Sequence, residues 1–190
     1  MGCQWRIGDG YRMKIILIRH GKVTMEWKDR YTSSAFDAAV RRYDLSTIAP
    51  VRERIENRGY MVYASAMPRT GATAKALFGK KPDGVWKELN EVPICSFMDT
   101  KRRLPLKVWN VMGRLQWFFG SKRQKETRNE TVARAARVLD ALEREGGDCY
   151  VVTHGFFLLV LLKELKRRKY TVEKDKHIRI NNLARLVAEK

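Results

Sequence analysis

Lys14-Ile15-Ile16-Leu17-Ile18-Arg19-His20-Gly21 decides the fold of this chain. A β-branched, continuously apolar run that stops at a His-Gly pair reads as a buried central parallel strand. A second run, Cys149-Tyr150-Val151-Val152-Thr153, stops in the same way at His154-Gly155. The chain has three histidines, so two of them occupy one kind of position. Open α/β sheets keep their sites at strand carboxyl ends, and histidine is the side chain suited to proton and nucleophile chemistry near neutral pH. Either His-Gly pair alone reads as a loop hydrogen bond; two of them, with Arg19 beside the first, point to a site.

Working outward from these strands, Ser33-Ser34 is a capping signal for a helix through residues 35–40, and residues 51–57 read as a helix ending at Gly59. Residues 60–63 form a short strand that delivers Ser65-Ala66-Met67-Pro68-Arg69-Thr70, after which a helix runs over 70–78 and stops at Gly79. Residues 85–89 read as a strand leading to Asn90-Glu91-Val92-Pro93, where proline closes regular structure. Apolar positions three or four apart predict a helix from Asn129 to Gly146. A helix over 156–166 and edge strands around 177–180 and 184–188 complete the pattern. Strands alternating with helices predict an α/β protein: a three-layer αβα sandwich with a mostly parallel central sheet. One domain is expected over 13–190, with an inserted helical lid at about 94–128 and an extension over 1–12. The lid interleaves Trp109, Trp117, Phe118 and Phe119 with basic residues, which packs an amphipathic helix or stacks nucleic acid.

At 190 residues the chain can bury a core without disulfide help. Cys3, Cys95 and Cys149 are odd in number and lack C-x-x-C spacing, which argues against a disulfide framework and a structural zinc site and fits a cytoplasmic home. No apolar stretch reaches the ~20 residues that span a bilayer, so no membrane partner is expected. The formal net charge of +18 attracts polyanions, yet the basic residues are spread along the chain and read as solvated helix ends and loops. Nucleic acid is therefore not the expected partner, and the sequence carries no signal for oligomeric state.

These pieces resemble the histidine phosphatase superfamily, also called the phosphoglycerate mutase-like family. The match consists of Arg19-His20-Gly21 after the first strand, Ser65-x-x-x-Arg69-Thr70-x-x-Thr73-Ala74 after the second, Leu89-Asn90-Glu91 in the middle, and His154-Gly155 after a late strand. The resemblance implies that His20 attacks phosphorus and becomes a phosphohistidine, with Arg19, Arg69 and His154 binding the phosphate oxygens. It assigns Glu91 to protonate the leaving group and then to activate water, with Glu88 as the competitor. Gly21 and Ser65 are accessory; Ser65 either orients the pocket or bonds a turn. Neither a cofactor nor a metal is implied. Where many members continue with a Glu and then an Asn that touches phosphate, this chain has Lys22-Val23-Thr24-Met25-Glu26. Thr24, Thr32 and Ser33 are the candidates for that contact, and Lys22 adds charge at the mouth. His177 belongs to no motif and reads as a surface or packing residue.

The implied activity is a metal-independent phosphatase acting on small phosphomonoesters. The alternatives are a phosphoglycerate mutase-type transferase using the same pocket, and a basic phosphoprotein- or nucleic-acid-binding module on the same scaffold.

Overall fold

The computed structural model describes residues 13–173 and 181–190. The expected extension over 1–12, the segment 177–180 and His177 lie outside the described residues. In chain order, β1 (Lys14–Arg19) and β2 (Arg30–Tyr31) precede α1 (Ser33–Leu45), and β3 (Met61–Ser65) leads into α2 (Pro68–Phe78). Next come β4 (Gly84–Trp86), a single 3-10 turn over Lys87–Leu89, β5 (Leu104–Pro105), α3 (Leu106–Phe118) and α4 (Arg128–Glu145). They are followed by β6 (Cys149–Thr153), α5 (Gly155–Arg167), β7 (Thr171–Glu173) and β8 (Arg185–Glu189).

The main sheet has the order β4-β3-β6-β1-β8-β7. The four strands from β4 to β1 are mutually parallel, and β8 runs antiparallel to both β1 and β7. Alternation with period two divides the apolar residues between the faces. Ile15, Leu17, Tyr63 and Val151 pack against Leu139 and Leu142 of α4 and Leu158, Leu161 and Leu165 of α5. Ile18, Val62, Ala64 and Val152 pack against Ala74 and Leu77 of α2 on the opposite face. Helices thus cover both faces, the three-layer α/β arrangement expected from the alternation of strands and helices. A smaller cluster joins Phe36 and Ala39 of α1 to Trp109 of α3, with Phe36 and Trp109 stacked 5.4 Å apart.

Local signals explain the helix ends. Pro68 opens α2, where its missing N–H costs nothing, and Gly79 closes it at φ 72°, a left-handed position glycine takes without strain. Thr127 and Glu130 form a reciprocal capping box on α4, two residues before the expected start. Thr32, not Ser33 or Ser34, caps α1 by accepting from the Ala35 N–H.

Three further expectations differ from the structure. Residues 51–57 are not helical: Val51 and Ile55 pack onto the α2 face from irregular chain, and the Ile55 N–H donates to the Leu77 carbonyl at 2.8 Å. Their four-residue spacing marks a shared contact, not a helical turn. The strand expected over 85–89 ends at Trp86 and tightens into the 3-10 turn. The strand expected at an edge over 184–188 lies inside the sheet, between β1 and β7. Within 94–128 there is one helix, α3, and the short β5 that pairs with β2.

Candidate active site

The sheet register assembles the site. Arg19 is paired with Thr153 in the parallel β1–β6 ladder, so His20 and His154 leave their strands at the same level. Their ring centroids are 5.1 Å apart. Both are buried, at 2 % and 0 % exposure.

The hydrogen bonds fix both tautomers. His20 Nδ1 lies 2.8 Å from the Gly21 carbonyl oxygen, which can only accept. Nδ1 therefore carries the hydrogen and Nε2 keeps a lone pair. His154 Nδ1 lies 3.1 Å from Arg69 Nε, which can only donate, so the His154 hydrogen sits on Nε2 and points to Ser65 Oγ at 2.7 Å. Burial, aided by the positive Arg69 and Arg19, pushes His20 down to about 4. Burial and Arg69 hold His154 well below the usual histidine value. Both rings are neutral at pH 7.

Arg69 is fully buried at the start of α2, and most of its donor fork is used. Nε bonds His154, Nη1 donates to the carbonyls of Tyr43 and Asp44 at 3.2 Å, and Nη2 reaches Asp44 Oδ1 at 3.3 Å. The Tyr43 ring also lies under the guanidinium, 4.9 Å from its carbon. Burial raises the Asp44 carboxyl above the ordinary range, against the pull of Arg69. Ser65 Oγ links His154 to Thr70 Oγ1 at 2.8 Å and accepts from the Met67 N–H. It thus both orients the histidine and bonds a turn, so the two readings of Ser65 are compatible.

Arg19 explains why the second histidine is followed by glycine. A Cβ on Gly155 would stand 3.0 Å from Arg19 Nε and 3.1 Å from its Cζ. The guanidinium packs onto the start of α5 because no side chain is there.

Glu91 is seated on the same helix end. Its Oε1 accepts from the N–H groups of Phe157 and Val92 at 2.9 Å, and Oε2 accepts from Phe156 N–H at 3.1 Å. A carboxylate is well matched to the exposed N–H groups and positive end of a helix. His154, the N-cap residue of α5, makes no side-chain cap bond, so Glu91 fills that role from a distant loop. Two arginines grip this loop from either side. Arg134 of α4 donates to the carbonyls of Glu88 and Asn90 at 2.6 and 2.8 Å, is paired with Glu126, and lies over the Phe157 ring at 4.1 Å. Arg114 of α3 donates to the Val92 carbonyl at 3.2 Å and lies over the Phe156 ring at 3.9 Å.

A cleft of about 430 Å³ opens at this point, with Arg19, Arg69, Asp44 and Glu91 on its wall. Tyr43 and Trp27 line it too, as do Asn110 and Arg114 of α3. Of the predicted residues, Arg19, Arg69 and Glu91 line this cleft, while His20, His154 and Ser65 are buried and are not on its wall, joined to it through the Arg69–His154 and His154–Ser65 bonds; Gly21 N–H donates to Thr73 Oγ1 at 2.9 Å. The structure does not bring Thr24, Thr32 or Ser33 to the cleft. Their side chains bond Thr47, the Ala35 N–H and Thr100, respectively. Glu88 contributes its backbone carbonyl to Arg134, leaving Glu91 as the carboxylate of that loop in the cleft. Sequence reasoning missed Asp44, Arg114, Arg134 and Asn182, whose Nδ2 donates to the His20 carbonyl at 3.0 Å. Among the described residues, no three His, Cys, Asp or Glu side chains cluster as a metal site.

Comparison with curated proteins gave no sequence match. Among solved structures, a phosphoglycerate mutase from Bacillus anthracis aligns at a TM-score of 0.59 and 16 % identity, over 96 % of this chain and 89 % of the other. A phosphoserine phosphatase from Entamoeba histolytica, in complex with phosphoserine, aligns at 0.55 and 15 %, over 92 % and 89 %. A mycobacterial glucosyl-3-phosphoglycerate phosphatase aligns at 0.54 and 15 %, over 83 % and 81 %. At these identities the likeness concerns the fold. The model of the histidine phosphatase superfamily, branch 1, matches residues 15–189. With a family match spanning nearly its whole length, from β1 to β8, this chain belongs to the histidine phosphatase superfamily.

Proposed function

We propose that this protein hydrolyses small phosphomonoesters through a phosphohistidine on His20, without a metal ion. The observation that carries the reading is the state of His20: a neutral ring whose Nδ1 is tied to Gly21, leaving Nε2 as a nucleophile beside Arg19 and Arg69. A neutral imidazole aimed in this way needs no separate base. Nε2 attacks phosphorus, and the N–P bond forms as the P–O bond to the leaving group breaks. Charge on the equatorial oxygens is met by the guanidinium groups of Arg19 and Arg69.

Glu91 serves the leaving group. Its Oε1 accepts two N–H bonds and its Oε2 only one, so Oε2 is the oxygen with room for the exchanging proton. That proton goes to the departing oxygen. The carboxylate then takes one from water as the water attacks the phosphohistidine, which releases inorganic phosphate and restores His20. His154 is assigned a supporting role. Both its ring nitrogens are occupied, so direct donation to phosphate, the role the family resemblance implies, requires its Nε2–H to leave Ser65.

Cys95 and Cys149 are free thiols, in keeping with work in the cytoplasm. Purified protein should release p-nitrophenol from its phosphate ester in the presence of EDTA, and His20→Ala should abolish that turnover. Equal activity in the variant overturns the reading. Rapid isomerisation of 3-phosphoglycerate with a bisphosphoglycerate primer, and no phosphate release, would assign the same pocket to a mutase.

A further inference from the structure

Helix α3 is apolar on two opposite faces. Trp109, Gly113 and Trp117 point inward and are buried, which is enough to hold the helix on the body. Val108, Val111, Met112, Leu115 and Phe118 follow a three-four spacing along the other side and are exposed, and Phe119 continues the row at 77 % exposure. A soluble surface rarely leaves a contiguous apolar row of this kind uncovered without a partner.

The surrounding charge selects an anionic partner, and the length and continuity of the apolar row favour a lipid surface. Residues 94–128 contain nine basic and two acidic residues. Both acids are already ion-paired, Asp99 with Arg123 and Glu126 with Arg134. Lys101, Arg102 and Arg103 precede the helix, and Lys122, Lys125 and Arg128 follow it, all exposed. Arg128 lies over the Phe118 ring at 4.7 Å, an aromatic body with a cationic rim. A second copy of this chain would bring the same cations against that rim, and like charges repel. An anionic bilayer satisfies both parts, with acyl depth for the apolar row and headgroup phosphates for the flanking lysines and arginines.

We propose that the outer face of α3 docks this protein onto the surface of an anionic lipid bilayer. The helix lies in the interface and does not cross it. At 13 residues it is about 20 Å long, and among the described residues no helix is long and apolar enough to span a membrane. The inner side of the same helix carries Asn110 and Arg114 into the cleft, so docking sets the mouth of the cleft beside the lipid. The inference does not depend on the phosphatase reading.

The test is sedimentation of the full chain with vesicles of phosphatidylcholine alone and of phosphatidylcholine mixed with phosphatidylglycerol. Binding is expected to the anionic vesicles only. Leu115→Ser combined with Phe118→Ser, which leaves the net charge unchanged, should weaken the partition by at least tenfold while the circular dichroism spectrum is retained. Subtracting the emission of the parent chain with its five tryptophans, Phe118→Trp should show a blue-shifted difference emission when anionic vesicles are added, a readout independent of the double variant. The proposal is overturned by absence of binding to anionic vesicles, by equal binding of the double variant, or by an unshifted Trp emission. A dimer in analytical ultracentrifugation that the double variant dissolves overturns it in favour of a second copy.

Discussion

Arg69 donates its Nε hydrogen to Nδ1 of His154 at 3.1 Å, so the arginine that starts α2 and the histidine that ends β6 fix one another. The bond determines which ring nitrogen of His154 holds the proton, and Asp44 and Tyr43 hold the rest of the fork. A lysine has no group that can serve all three partners at once. Arg69→Lys should therefore lower kcat/KM by roughly 10²- to 10³-fold, the scale of losing one preorganised donor. Steady-state kinetics on a chromogenic ester checks this, and a change below threefold would contradict it.

Gly155→Ala places a Cβ 3.0 Å from Arg19 Nε. Either the guanidinium or the first turn of α5 must move, at a cost of about 1–3 kcal/mol. The melting temperature should fall, and KM should rise as Arg19 shifts. Thermal denaturation with parallel kinetics measures both; an unchanged KM would show that Arg19 does not contact the substrate.

The low value of His20, about 4 against an ordinary 6.5, gives stability a definite pH dependence. Between these limits the unfolded chain binds a proton that the folded ring refuses, so stability falls as pH is lowered from 6.5 towards 4. The loss from His20 alone is about 3 kcal/mol at pH 4, and His154 acts in the same direction. Imidazole NMR titration should place the His20 midpoint near 4. A midpoint at 6.5 would refute the buried neutral nucleophile.

Arg134 makes no hydrogen bond to either histidine, yet it holds two carbonyls, those of Glu88 and Asn90, immediately ahead of Glu91. Arg134→Met should lower kcat more than it changes KM. It should also destabilise the fold by roughly 3 kcal/mol, because Glu126 is left mostly buried without its partner. Adding Glu126→Gln removes the stranded charge, so the melting temperature should recover while kcat stays low. Recovery of both would make Arg134 structural only.

The two His-Gly strand ends were legible because an apolar run that stops at a polar pair constrains both burial and position. That the two strands are neighbours, with Arg19 opposite Thr153, was not legible and is set by the sheet order. Residues 51–57 misled because apolar spacing reports which side chains touch a surface, and an irregular segment lying on α2 meets that condition too. Asp44, Arg114 and Arg134 were not legible for a related reason. Each sits among other charged or exposed positions on a helix, and only the packing of distant elements turns it towards the site. Glu91 was found by its loop motif, but its seat on the N–H groups of Phe156 and Phe157 depends on a contact across 65 residues.

The two-sided α3 separates tasks that other scaffolds entangle. Its indoles secure it from within, so the outward row can be rewritten residue by residue while the catalytic floor is untouched. For a protein engineer the proposed docking would make this row an address label: exchange those side chains, and the same cleft would be carried to a different surface.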